Sequence, residues 1–552
     1  MSDTRGADPD LSGHPLVGLA TSLGHEPEAW LARATTPLPE TVRVSTTHPD
    51  SKRVRAILEG IGGQANGWFP QTAEIWTMPW ERGGGGASLE VIRMLHSSGR
   101  ITRQEAASMI PVELMAPFED DLVLDLCAAP GSKATQIASA TDGRSLVIAN
   151  EPSNGRLNLL TTNRSRLGVE DMLIVQHDAR HFPRIPGDGA SAILVDAPCT
   201  GTATTRKNWS VWKKWAPEDG RRMHRLQVDI SVRAARLLEP GGRMVYSTCS
   251  IDPVENEAVV VAILHACPWL RLDPIHPNET PGLTLQSGVD EWSLIDAGGQ
   301  PHRGAKALGL PGADEAHLCP TDRGEEGPDL SACRRLAHAD NDTGGFFLAR
   351  FLHHPIDEDP RAIGLRQPRG ARGHERTPPT PGRHETLPAS TEDLETLAST
   401  WGFEPDAERW WRRGKQLIRA SPKARWLWEA PHIDARGGRW PGGHWMPMKV
   451  IHAGLPMMRT DGRGWRPRQD AMMALGPCLG ARVMHLDRSQ LRILLDDGEV
   501  PVPEDGHAGS VVFEVESVDG TRWIPGWSGQ RLSLMIDEDE RGWWRLMLEG
   551  SD

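Results

Sequence analysis

"LVLDLCAAPGSKATQIASA", Leu122 to Ala140, sets an apolar run against a tight turn with a single glycine and then a helical stretch. An unbroken apolar run bounded by a turn reads as a strand buried on both faces, and strand followed by helix is half of a βαβ unit. Five further runs follow at crossover spacing: "SLVIANE" (Ser145 to Glu151), "MLIVQHD" (Met172 to Asp178), "AILVDA" (Ala192 to Ala197), "RMVYSTC" (Arg243 to Cys249) and "GGFFLARF" (Gly344 to Phe351). Together they predict a doubly wound, Rossmann-like α/β domain over 99–353.

The rest of the chain divides around that domain. At 552 residues it is too long for one core. Residues 1–14 are rich in Gly, Pro and Asp without periodicity and read as a disordered arm. Residues 15–98 mix the alternating "TVRVST" with the helical "SKRVRAILEGI" and form a small α+β module. Within the α/β domain, Leu270 to Asp342 carries thirteen acids against six bases, which predicts a solvated acidic insertion. Residues 354–390 are a Pro-, Arg- and Gly-rich linker, and 391–552, rich in Trp and short alternating runs, read as a β-rich domain.

Composition narrows the function. There is no apolar stretch of about 18 residues and no basic-then-apolar leader, so a cytoplasmic protein is expected. Seven cysteines without a zinc-type CxxC pair suggest neither a disulfide framework nor a metal site. The net charge of -13 requires any nucleic-acid surface to be local. Thr205 to Arg243 is one such place, with ten Lys/Arg against four acids.

Ligands of a doubly wound sheet bind at the carboxyl ends of its strands. Here the first strand ends in "DLCAAPGSK", with one glycine, Gly131, where a pyrophosphate site would want more. The helix start behind it can hold a carboxylate. Glu151 ends the second strand, where an acid can take both ribose hydroxyls; Asp178 and Asp196 end the third and fourth. An adenosine joined to an amino acid, S-adenosylmethionine, satisfies all of these. Cys199 and Cys249 follow the fourth and fifth strands, each close to a turn-forming proline, Pro198 and Pro253. A thiol needs nearby positive charge to be a nucleophile at neutral pH, and Lys133 or the cofactor sulfonium can supply it. A thiolate beside a methyl donor suits carbon 5 of a pyrimidine, which becomes nucleophilic once a thiolate adds to carbon 6. Asp196, protonated or sharing a hydrogen bond, is the candidate for neutralising ring nitrogen 3.

These residues resemble the Sun (Fmu) family of RNA cytosine-5 methyltransferases. "ITRQEAASMIP", "DLCAAPGSK", "DAPCTGTATTRKN", "STCSIDPVENEAVV" and the closing "DTGGFF" carry the resemblance, and "TRKNWSVWKKW" with "HRLQ" look most like the eukaryotic-type transfer-RNA branch. The resemblance implies that Cys249 is the nucleophile and that Cys199 assists product release. It also implies that Cys127, Ala128, Ala129, Pro130, Gly131, Ser132 and Lys133, with Glu151, Asp178 and Asp196, line the cofactor pocket. DNA cytosine-5 methyltransferases attack with the Pro-Cys thiol, which would be Cys199; the "TCS" thiol favours the RNA assignment. Glu151 stands where Asp is commoner, and Thr200 where Ser is usual.

The expected partner is RNA, transfer RNA first, with ribosomal RNA or an inactive RNA-binding scaffold as the alternatives; a monomer is expected. Arg206, Lys207, Lys213 and Lys214 are the candidate phosphate contacts. Trp209, Trp212 and Trp215 either stack on bases or form one buried stripe. The same two readings apply to "RWWRRGKQLIRASPKARWLW" (Arg409 to Trp428). The 15–98 module is expected to bind RNA, and "KVIHAGLPM" suggests a PUA-type RNA-binding module in the last domain. The linker arginines, Arg361 to Arg383, read first as part of a solvated spacer, with nonspecific RNA contacts as the alternative.

Overall fold

The computed structural model describes residues 10–549 apart from 47, 70–73, 117–120, 142, 355–374, 383–384, 435–436, 461, 463, 505 and 518. The expected arm before residue 10 and the linker arginines Arg361, Arg366, Arg369, Arg372 and Arg383 lie outside the described residues. His14, placed in the arm by its sequence, instead caps the helix Pro15–Ser22.

All six apolar runs become strands of one ten-stranded sheet. They are β1 (Leu122–Asp125), β2 (Leu146–Asn150), β3 (Met172–Val175), β4 (Ala190–Asp196), β5 (Leu238–Thr248) and β6 (Phe346–His353). Their order is β3-β2-β1-β4-β5-β6, parallel except for β6, which runs antiparallel to β5. The order therefore reverses between β1 and β4, which opens a crevice at their carboxyl ends. Helices α1 (Ser132–Ala140) and α2 (Asn154–Arg166) bury Ala134, Ile137, Leu157 and Leu160 against Val123, Val147 and Ile174 on one face. On the other face α3 (Pro217–Ala235) and α4 (Glu257–Ala266) bury Ile230, Ala234, Val259 and Ile263 against Leu124, Ile148 and Val195. Strands enclosed on both sides must be apolar throughout, which explains their unalternating sequence.

Several features differ from the sequence reading. A seventh strand, β7 (Val450–Ala453), comes from the "KVIHAGLPM" stretch and pairs antiparallel with β3, closing that edge of the sheet. The following Leu455–Thr460 belongs to a separate five-stranded sheet with Trp410–Arg413 and Gln416–Arg419. The stretch thus bridges two sheets. The acidic insertion is folded as well as charged, with Trp292, Leu294, Cys319, Leu330 and Cys333 buried. Its acids occupy the intervening surface positions, so charge counting alone overstates its solvation.

The first and last parts of the chain share a core. Val42, Val54, Ile92 and Leu95 of the N-terminal four-stranded sheet and its helices pack with Phe513, Ile524, Trp543 and Met547 near the C-terminal end. Arg100 bridges Asp50, at 3.2 Å, and Glu540 across this seam, and Arg522 reaches Asp50 at 2.9 Å. Among the described residues no helix is long and apolar enough to cross a membrane.

Candidate functional site

The crevice between β1 and β4 gathers most of the residues singled out in the sequence. After β1 the chain turns through Cys127–Gly131 into α1. Gly131 has φ +109°, and a Cβ there would lie 2.9 Å from Leu160, so the turn excludes any side chain. The turn is pinned by Ala128 N donating to Asn150 O (2.9 Å) and Asn163 Nδ2 donating to Pro130 O (2.8 Å). Ala128, Ala129 and Gly131 are buried, whereas Cys127, Ser132 and Lys133 are partly exposed and Pro130 is exposed. Burial, then the neighbouring Asp125, Asp196 and Glu151, push the Cys127 thiol far up, so it is a poor nucleophile.

Carboxylates line the floor. Asp125 is buried: its Oδ1 accepts from Cys127 N, while its Oδ2 has no partner among the described residues. Burial, then the charge of Asp196, push it up to about 7. Glu151, also buried, accepts from Ser153 N at 2.8 Å through Oε1. Its Oε2 lies 3.1 Å from the Arg156 guanidinium but makes no aligned hydrogen bond. Asp178 is the least enclosed of the set: it caps the turn Ala179–His181 and pairs with Arg180 at 2.6 Å. A buried acceptor oxygen without a partner among the described residues, Asp125 Oδ2, and a second, Glu151 Oε2, held only by an ion pair, beside a glycine turn at a helix start, fit a ligand bearing hydroxyl and ammonium groups.

Over β4 and β5 the pairing register sets Asp196 opposite Ser247. Asp196 Oδ1 accepts from Ser247 Oγ at 2.9 Å and Oδ2 from Lys133 Nζ at 2.7 Å. Burial alone would lower Lys133, but the Asp196 charge and hydrogen bond outweigh it and raise the ammonium, which stays protonated. Asp196 is therefore held by an ion pair with Lys133 and a hydrogen bond from Ser247.

The two thiols meet: Cys199 Sγ and Cys249 Sγ are 3.3 Å apart. Their surroundings differ in charge. The hydrogen bond from Cys199 lowers Cys249 despite burial, and Lys207 and Lys133 add to the lowering. The same bond, burial and the charges of Cys249 and Glu255 raise Cys199. These directions favour the thiolate at Cys249 over Cys199.

A residue that sequence reasoning quoted but gave no role organises both thiols. Glu255 is fully buried. It accepts from Thr200 N (2.9 Å) and the Thr200 hydroxyl beside Cys199, from Ser250 Oγ (2.7 Å) beside Cys249, and from Gln227 Nε2 (3.0 Å) on α3. Gln227 also donates to Pro198 O at 3.0 Å. The Cys249 carbonyl accepts from Ala203 N at 3.0 Å, and Ala203 O accepts from Gly345 N at 3.2 Å. The signal that could have found this network is a run of polar residues, "STCS" and "ENE", in an otherwise apolar core.

The expected phosphate contacts separate into two kinds. Arg206 is not a surface group: its side chain is 1% exposed, pairs with Asp342 at 2.7 Å and donates to the carbonyls of Thr36, Pro37 and Thr343. A basic run in sequence does not reveal which of its members is swallowed by neighbouring loops. Lys207 is tied to Glu105, while Lys213 and Lys214 are exposed. Trp212 and Trp215 are buried against Leu16, Trp30 and the first two helices, the stripe reading. Trp410 and Trp411 are likewise core residues, whereas Trp426 is 46% exposed.

A family profile described as 16S rRNA methyltransferase RsmB/F matches residues 112–352. The multisite-specific tRNA:(cytosine-C(5))-methyltransferase of Saccharomyces cerevisiae is 38% identical over 271 residues, 46% of this chain and 39% of that one. The tRNA (cytosine(49)-C(5))-methyltransferase of Pyrococcus abyssi is 33% identical over 259 residues, 45% of this chain and 78% of that one. Ribosomal RNA small subunit methyltransferase F of Escherichia coli is 38% identical over 208 residues, 36% of this chain and 43% of that one. The chain thus spans about two fifths of the length of the yeast protein.

Proposed function

The chain belongs to the RsmB/F methyltransferase family, and on that premise we propose that it methylates carbon 5 of cytosine in RNA, transfer RNA before ribosomal RNA. The observation that carries the reading is the 3.3 Å approach of Cys199 and Cys249 with opposite charge surroundings. Relatives named for both RNA classes share the catalytic segment; transfer RNA is favoured by the yeast and archaeal matches.

S-adenosylmethionine, when bound, supplies the methyl group. Asp125, whose Oδ2 has no partner among the described residues, Glu151, whose Oε2 faces Arg156, and the Cys127–Lys133 turn would hold it. The chain's own residues do the remainder. Cys249, as thiolate, adds to cytosine carbon 6, and electron density passes to carbon 5 and ring nitrogen 3. The Lys133–Asp196 pair places an ammonium and a carboxylate together to accommodate that charge. Once carbon 5 carries the methyl group its remaining proton must leave. Cys199, once its own proton has passed to solvent after Cys249 has added to the ring, is placed as the base that takes the carbon 5 proton, and Cys249 is then expelled as thiolate. Lys213 and Lys214 are proposed phosphate contacts, and the modules at either end are proposed to bind RNA.

The test is transfer of labelled methyl from S-adenosylmethionine to unmodified transfer RNA and, separately, ribosomal RNA, with the nucleoside identified by mass. Label as 5-methylcytidine in transfer RNA is the expected result; label confined to ribosomal RNA would overturn the substrate, and none in either would leave the scaffold reading.

A further inference from the structure

The proposed methyl transfer uses the thiols of Cys199 and Cys249 as base and nucleophile, but their contact supports a second chemistry that needs neither RNA nor cofactor. The two sulfurs meet at 3.3 Å, and both residues are partly exposed. Three hydrogen bonds hold together the loops that carry them. Thr200, which follows Cys199, donates through its backbone N–H to Glu255 at 2.9 Å, and Ser250, which follows Cys249, donates through Oγ to the same buried carboxylate at 2.7 Å. Ala203 N donates to Cys249 O at 3.0 Å. Separating the sulfurs would break buried hydrogen bonds, so the contact is built into the site.

The pair also has the asymmetry that a thiol-oxidation site requires. The surroundings favour the thiolate at Cys249, and the thiolate is the form that attacks a peroxide. A second thiol in contact then decides what becomes of the product: it converts a sulfenic acid to a disulfide before further oxidation makes the change irreversible. The charge of Cys249 is one of the causes that hold the Cys199 thiol up. Oxidation of Cys249 removes that charge, so the second thiol is released to react after the first has been oxidised. The other cysteines lack this combination. Cys267, Cys319 and Cys333 are buried, burial and neighbouring acids push Cys127 up, and the exposed Cys478 lies in the separate turn Gly476–Cys478.

We propose that Cys249 and Cys199 form a reversible oxidation site for hydroperoxides, in which Cys249 is the sulfur first oxidised and Cys199 resolves it to a disulfide. The Cys249 thiolate attacks one peroxide oxygen: an S–O bond forms, the O–O bond breaks, and the other oxygen leaves as hydroxide and takes a proton from solvent. Cys199 then gives up its proton to solvent and attacks the Cys249 sulfur; the S–S bond forms, the S–O bond breaks, and hydroxide leaves to become water. With hydrogen peroxide the balance is two thiols and one peroxide to one disulfide and two waters, the sulfurs oxidised and the peroxide reduced. The consequence for methyl transfer rests on the proposed function, since the disulfide occupies both of its sulfurs; the oxidation itself does not.

The test uses the full chain, reduced and then freed of RNA and small thiols, exposed to hydrogen peroxide at neutral pH, blocked with iodoacetamide and digested without reductant. A linked Cys199–Cys249 peptide pair is expected by mass, and dithiothreitol should abolish it. In Cys199→Ser the link should be lost and dimedone should label Cys249, which it should scarcely do in the parent. The oxidised parent should keep its affinity for S-adenosylmethionine and lose adduct formation with RNA, and dithiothreitol should restore it. Oxidation of Cys478 without a linked pair, or equal dimedone labelling of Cys249 in parent and Cys199→Ser, overturns the proposal. A linked pair in a protein that still forms the adduct supports the oxidation site and overturns Cys249 as the nucleophile of methyl transfer.

Discussion

The two halves of the catalytic edge are built differently. Over β4 and β5, both oxygens of Asp196 and both of Glu255 accept hydrogen bonds from neighbouring protein groups. Over β1 and β2, Asp125 Oδ2 and Glu151 Oε2 are buried without one. Buried acceptors are normally satisfied. The acids of the thiol half are therefore satisfied by the protein, although Gln227 Oε1 in the same network is buried without a partner among the described residues; on the carboxylate half Asp125 Oδ2 has no partner among the described residues and Glu151 Oε2 only faces Arg156 at 3.1 Å. On the proposed function, the satisfied acids lie where bonds would be made and broken, and the open acceptor where a ligand would be held.

Substitutions can break either half. Cys249→Ala should abolish methyl transfer, on the order of 10^4-fold or more, and form no covalent adduct with RNA. Cys199→Ala should instead accumulate an adduct that survives denaturation, seen as a shifted band on a denaturing gel. The pH profile of adduct formation sharpens this. The Cys199 hydrogen bond holds Cys249 below its ordinary value, and the thiolate fraction grows as pH rises. Losing the donor should therefore move the profile of Cys199→Ala to higher pH; an unmoved profile would remove Cys199 from activation of the nucleophile.

Glu255→Ala releases both loops at once and should lower kcat by roughly 10^2-fold, the usual consequence of a misplaced reacting group. It should also destabilise the fold by about 3 kcal/mol. Glu255→Gln, which keeps an acceptor, should recover part of both losses in the same assays. On the incomplete half, Glu151→Ala should raise the Kd for S-adenosylmethionine about 10- to 100-fold with little change in melting temperature, measured without RNA. A large stability loss there would mean that the carboxylate is structural and that the two halves are alike. The smallest effect is expected of Lys213→Ala with Lys214→Ala, which should reduce the slope of log affinity for RNA against log salt by about 1.5.

The sequence made the catalytic sheet legible because strands buried on both faces leave an unmistakable apolar signature, and its strand-end residues follow directly. Glu151, Asp196, Cys199 and Cys249 lie at the crevice for that reason, whereas Asp125, at the end of the first apolar run, was not singled out in the sequence. What was not legible depends on partners distant in the chain. Arg206 sits in a basic run yet is enclosed by the loops at Thr36 and Thr343. Glu255 has the same composition as any surface acid until the two thiol loops are seen to close over it. An apolar face announces that it will be covered but not by what, so the core shared between Val42 and Trp543 could not be read from either end.

The strand Val450–Ala453 imposes an order on synthesis. The edge of β3 is exposed from the time the catalytic segment leaves the ribosome until residue 453 has followed it, some 280 residues after β3 itself. Throughout that interval an unpaired parallel-sheet edge is available to other chains. The late strand is thus the step that takes the nascent protein out of danger, and a fragment ending at residue 390 should precipitate even though it carries both thiols and the whole carboxylate floor.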